Sequence, residues 1–280
     1  MGRVASSPWT RELNDFVRAL SGAFIFGVPL LLTMEMWWIG EFGNHSKLVV
    51  FLALGLTCNV ALNFAVGFKR ESSLGSATTQ AIETMAVGVV AAPVTLVILN
   101  RIRPGDPIES VLGMIVIQAV PLSIGASVAN EVFGRRNERQ PEGEIEGASL
   151  KPWQHLFTDV GATAIGGIFV GFSIAPTDEV PMVASGLNHI HLVVLVCFSL
   201  LLSYGIVFES GFYGKQPEGM FHHPITETTL SYVVSICVAG IALYLFNQVE
   251  IDDPLQHSIE HILVLALPTT IGGAAGRLVI

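Results

Sequence analysis

LNHIHLVVLVCFSLLLSYGIVF, residues 187–208, decides the class of this chain, because it contains no Asp, Glu, Lys or Arg. A helix rises 1.5 Å per residue, so about 20 such residues cross a hydrocarbon core of about 30 Å. Lipid offers no water to backbone N–H and C=O groups, so a run of this kind must satisfy them internally as a helix.

Apolar runs of similar length recur on both sides of it, at 16–38, 47–68, 77–99, 108–133, 157–176, 224–247 and 255–278. Of the 280 residues, 51% are hydrophobic and 13% charged, against about 25% charged in ordinary soluble domains. That balance excludes a soluble enzyme and a disordered tail. The formal charge of -9 and the lack of a basic patch exclude nucleic acid as a partner. Cys58, Cys197 and Cys237 lie in apolar runs without a CxxC, which indicates neither a disulfide framework nor a zinc knuckle. The expectation is an all-α, multi-pass membrane protein of about eight spans, not an enzyme and without a cofactor. The charged residues Arg3, Arg11, Glu12 and Asp15 precede a long first span that carries Glu35, a pattern unlike a signal peptide, so that span is expected to stay in the mature protein.

The long polar segment GRRNERQPEGEIEGASLKPWQH, residues 134–155, separates two sets of four spans. It reads as a charged, flexible cytoplasmic linker between membrane units at 1–133 and 156–280. Lys and Arg in short loops stay on the cytoplasmic side. Eleven of the 14 basic residues fall on one side, with both termini, and Lys47, Arg101 and Arg103 on the other. Both termini are therefore expected to be cytoplasmic.

The halves resemble each other. A shift of 147 matches Asn100 with Asn247, Asp106-Pro107 with Asp253-Pro254, Pro121 with Pro268 and Ile124-Gly125 with Ile271-Gly272, among eight identities in 31 positions. A shift of 144 lays SGAFIFGVPLLLTMEM (21–36) over IGGIFVGFSIAPTDEV (165–180), pairing Gly22 with Gly166, Gly27 with Gly171, Thr33 with Thr177 and Glu35 with Glu179. Four spans per unit return the chain to its starting side, so the expected arrangement is two tandem four-helix repeats in parallel orientation. Small residues at Ala23/Gly27, Gly125/Ala129, Gly167/Gly171 and Gly272/Gly276 permit close helix approach. They predict tight packing of the first span on the fourth and the fifth on the eighth, or else a homo-oligomer contact.

Carboxylates in lipid are costly and usually face water or a bundle interior. Thr33/Glu35 and Thr177/Asp178/Glu179 follow Pro- and Gly-rich helices that break readily, and make either a pseudo-symmetric cation or proton site or acids in interfacial water. Glu83 and Glu260 are the deeper candidates, and Glu83 is expected to line a polar cavity. His257-Ser-Ile-Glu260-His261 spells H-x-x-E-H, in which two histidines share a helix face and can hold a metal. A protease needs a further ligand well downstream, and the sequence given runs only 19 residues beyond His261. Asn59, Gln118 and Glu227 read as interhelical hydrogen-bond partners, and His222-His223 as a loop with some capacity to sense pH. The outer side carries ten acids against three bases, a distribution that suits cation pathways if the acids converge.

The segment RALSGAFIFGVPLLLTMEMWW, residues 18–38, resembles a bacterial family of integral membrane proteins of unknown function. The resemblance implies residence in a bacterial inner membrane and carries no activity or site residues. Two readings follow from the residues themselves. One is a cation channel or secondary transporter, with proton coupling as one form of it because its acids suit either ion, and with lipid and inorganic cations or protons as partners. The other is a non-transporting scaffold or sensor acting through helix packing.

Overall fold

The structure, a computed structural model, describes residues 8–67, 73–139, 152–209 and 224–278. It contains α1 (Pro8–Leu31), α2 (Met34–Phe42), α3 (His45–Gly67), α4 (Leu74–Ile98), α5 (Ile108–Arg139), α6 (Pro152–Ile174), α7 (Glu179–Gly186), α8 (His189–Tyr204), α9 (Pro224–Leu245) and α10 (Leu255–Arg277). A π-helical turn, Gly205–Glu209, extends α8. No strand occurs among the described residues. Seven helices are long and apolar enough to cross a membrane, and the bent pair α6–α7 makes an eighth. α5 continues to Arg139, into the charged segment read as a linker. Residues 140–151 and the His222-His223 pair lie outside the described residues.

Two expected spans are broken rather than continuous. The run 16–38 divides at Leu32-Thr33 into α1 and the short α2. Pro29 sits inside α1, and four residues later Thr33 is extended, with φ -86° and ψ 118°. In an unbroken helix the Thr33 N–H would donate to the Pro29 carbonyl. It turns to the Leu30 carbonyl at 3.2 Å, and the Thr33 hydroxyl donates to Pro29 O at 2.8 Å in its place. The run 157–176 likewise ends at Ile174, where Pro176 cannot donate and disfavours a helical residue before it. The Thr177 hydroxyl donates to Ile174 O at 2.6 Å, and α7 leaves at 89° to α6.

The helices that follow start alike. Asn44 Oδ1 accepts from the Ser46 N–H at 2.9 Å at the head of α3, and Asn188 Oδ1 from Ile190 and His191 at 3.0 Å at the head of α8. α4 and α9 stop alike as well. Asn100 and Asn247 are left-handed, with φ 53° and 56°. The next N–H reaches back to Leu96 O at 2.8 Å in one case and to Leu243 O at 2.9 Å in the other, a Schellman cap. Six residues beyond each left-handed Asn an Asp side chain closes the turn, Asp106 on the Arg103 N–H and Asp253 on the Glu250 N–H, both at 2.7 Å.

α5 and α10 are the central helices, with 61% and 67% of their apolar windows inside the molecule, against 22% for α3. α1 packs most extensively on α5 and α6 on α10, as the small-residue spacing predicts. A Cβ on Gly22 would lie 2.8 Å from Gly125 O and collide with the Ala129 methyl; one on Gly166 would collide with Gly272 O. These faces are used inside the chain. The halves meet where α1 packs on the π turn and α10, and α4 on α8, with Phe24 and Phe198 in edge contact at 5.5 Å. Cys58, Cys197 and Cys237 are free and face outward.

Candidate functional site

The residue pattern of α1 brings Glu12, Asp15, Phe16 and Ala19 onto one helix face, spaced at three and four residues. On α4 the same spacing aligns Glu83, Ala86, Val87 and Val90. These two faces enclose a cleft of about 340 Å³, with Thr84 on its wall. Glu83 therefore lines a cavity as expected, but one open to the outside, and its side chain is exposed. Among the described residues the cleft lining holds three carboxylates and no basic residue. Arg18 Nη1 lies 3.2 Å from Asp15 Oδ1.

Thr84 joins the cleft to a buried polar cluster. Its hydroxyl lies 2.9 Å from Ser127 Oγ, which lies 2.9 Å from Asn59 Oδ1, and Asn59 Nδ2 donates to Ser123 Oγ at 2.8 Å. All four side chains are at most 2% exposed. The cluster bonds α3, α4 and α5 together, the interhelical role expected of Asn59. Gln118 does the same between α5 and α1, donating to Leu30 O at 3.2 Å beside the helix break.

The second half has an ionic cluster at the corresponding end. Arg277 Nη2 lies 2.8 Å from Glu227 Oε2 and 3.7 Å from Asp159 Oδ2, joining the end of α10 to the starts of α9 and α6. Shifting back by 147 gives Gln80 for Glu227 and Asn130 for Arg277, and by 144 gives Asp15 for Asp159.

The outer candidates occupy helix starts. Glu35 is exposed in the first turn of α2, and Glu179 is half-buried in the first turn of α7, behind the exposed N-cap Asp178. Carboxylates are favoured there by the unpaired N–H groups and the helix dipole. α2 packs on α5 and α7 on α10, so Thr33 with Glu35 and Thr177 with Glu179 each stand within their own half. Glu83 and Glu260 are not brought together. Counting about 1.5 Å per residue, Glu83 is about 22 Å from the C-terminal end of α4, whereas Glu260 is about 8 Å from the N-terminal end of α10. Glu260 Oε1 accepts from Gln256 Nε2 at 2.8 Å. His257 and His261 stack edge to face with centroids 3.9 Å apart. Among the described residues no group of three or more His, Cys, Asp or Glu is arranged to hold a metal ion.

Sequence reasoning missed Glu12 and Asp15, which it treated as charges ahead of the first span, and Ser123 and Ser127. Their three- and four-residue spacing from Phe16, Ala19 and one another was the available signal. It also missed Asp159 and Arg277 as partners of Glu227, because that trio spans three helices and no local pattern links it.

The model of the family described as "Putative integral membrane protein (DUF2391)" matches residues 15–280. No curated protein and no solved structure matches the chain.

Proposed function

The chain belongs to this family of integral membrane proteins, and on that premise we propose that it conducts or carries a cation, either as a channel or as a proton-coupled secondary transporter. The observation that carries the reading is the cleft between α1 and α4, where Glu12, Asp15 and Glu83 share one lining that includes no basic residue among the described residues. A cleft lined by one sign of charge raises the local concentration of cations. In this reading the cleft is the inner mouth. Glu35, Asp178 and Glu179, with Thr33 and Thr177, form an acidic outer vestibule that concentrates cations.

The reading includes two tandem four-helix units in parallel orientation, at 1–133 and 156–280 with 134–155 between them, in a bacterial inner membrane with both termini cytoplasmic. Support comes from features that recur at shifts of 144 and 147. These are the breaks at Thr33 and Thr177, the N-caps at Asn44 and Asn188, and the left-handed caps at Asn100 and Asn247. The charge bias supports the orientation.

A second reading, a scaffold or sensor that transports nothing, is favoured by the apolar seam at Phe24 and Phe198. Flux in proteoliposomes, with a pH dye and imposed gradients of H⁺, Na⁺, K⁺ and Mg²⁺, tests the two. Cation-dependent flux that falls in Glu83→Gln supports transport. No flux from folded, inserted protein between about pH 5 and 8 refutes it and leaves the scaffold.

A further inference from the structure

Arg101 and Arg103 are two of only three basic residues on a side that carries ten acids, and they stand in one turn. The backbone does not require them there. The equivalent turn after α9 makes the same Schellman cap and the same Asp closure with Gln248 and Glu250 in their places. Arginine at these positions therefore serves something other than the turn.

The surroundings of Arg101 show what. Its guanidinium carbon lies 4.1 Å from the centroid of the Trp37 ring. That ring is itself fixed, because Trp37 is 2% exposed and its Nε1 donates to Leu31 O at 2.8 Å. Stacking holds the flat face of the guanidinium and leaves its N–H donors at the edge, away from the ring. Nε and Nη2 are both shut off from solvent and have no hydrogen-bond partner among the described residues. Burial and the nearby Arg103 push the group down to about 10, with Glu41 opposing them, so it remains charged at neutral pH. Arg103 stays close because Asn100 Nδ2 donates to Gly186 O and Arg103 Nε donates to Asn100 O at 3.3 Å. A half-buried cation with two shielded, unmet donors beside a second cation is costly unless an anion meets them.

We propose that the edge of Arg101, held against Trp37 and flanked by Arg103, is a binding site for a small monovalent anion of halide size at the outer seam between the two halves. The site is independent of the cation reading and stands whether or not the protein transports. The anion accepts from Nε and Nη2 of Arg101, and Arg103 adds long-range attraction.

The test uses the full-length protein in detergent, exchanged into sodium gluconate and titrated with sodium bromide while Tm is followed. The expected result is a saturable rise of about 5 °C at bromide well above its Kd, absent in Arg101→Gln and Arg101→Lys, reduced in Arg103→Gln and retained in Lys47→Gln. Equal Tm in gluconate and bromide overturns the proposal, as does a rise that survives in Arg101→Gln. Because the Arg101 variants can fail to fold, bromide-soaked crystals of the unaltered protein provide a second measurement. An anomalous peak at the Arg101 edge supports the site, and a water there, or no peak, overturns it.

Discussion

Arg277 and Glu227 meet at 2.8 Å, with exposures of 4% and 7%, at the end of α10 and the start of α9. Neither charge reaches water freely, so each depends on the other for its stabilisation. Removing one breaks the closest contact of a buried ionic cluster that also includes Asp159, 3.7 Å from Arg277. Breaking a buried pair typically costs about 3–5 kcal/mol, whereas replacing both with apolar residues of similar volume is close to neutral. Arg277→Met and Glu227→Leu should each lower stability by roughly that amount, and the double variant should recover most of it. Thermal unfolding in detergent, arranged as a double-mutant cycle, measures this. Additive losses would show that the pair is not coupled.

Gly166 and Gly161 lie on the same helix and predict opposite outcomes. A Cβ at 166 collides with Gly272 O, while one at 161 meets nothing within 4 Å. Gly166→Ala should destabilise by about 1–3 kcal/mol through overpacking. Gly161→Ala should stabilise by about 0.5–1 kcal/mol, because glycine in a helix interior carries the larger conformational cost. Comparing the unfolding midpoints of the two variants decides whether α6 packs on α10 as described.

The parts of this fold that were legible in the sequence were those governed by composition and short spacing. Eight apolar runs predicted the spans, and the small residues at Gly125 and Gly272 predicted which helices touch most closely. The repeated Thr-x-Glu marked both helix breaks. Its chemistry was ambiguous because the same residues serve as helix-start acids, and burial alone separates the roles. Glu83 was legible as a cavity residue, but its companions Glu12 and Asp15 were not. They lie in the first turns of the apolar span Glu12–Leu31, where a charge is unremarkable until α4 is placed beside it. Arg101 gave no sign at all. Only the Trp37 ring, 64 positions earlier in the sequence, turns a loop cation into a stacked, half-buried one.

Asn59 is the hub of the α3–α4–α5 cluster, bonding Ser123 and Ser127 from one amide. Interhelical hydrogen bonds in membranes average about 0.6 kcal/mol and reach about 1.7, and two hydroxyls would each lose one of their partners together. Asn59→Leu should therefore cost about 1–2 kcal/mol, and Ser123→Ala less. If the cluster is glue alone, proteoliposome flux per folded molecule should be unchanged in Asn59→Leu. A loss of flux larger than the loss of folded protein would instead connect the cluster to the Thr84 wall of the cleft.

The charge of the cleft gives the sharpest contrast between the two functional readings. Glu83→Gln removes a carboxylate from an exposed position with no protein partner to strand, so folding should change by less than about 0.5 kcal/mol. If the cleft is a cation mouth, flux should fall at least tenfold in Glu83→Gln, with Glu83→Asp retaining more than the amide. Glu35→Gln with Glu179→Gln should lower flux chiefly at low ionic strength, because exposed acids attract ions over a Debye length of about 10 Å at 0.1 M salt and act less at higher salt. Flux measured across that salt range separates a mouth from a vestibule. Flux equal to that of the unaltered protein in Glu83→Gln at all salt concentrations would remove the cleft from the pathway, whatever the outer acids do.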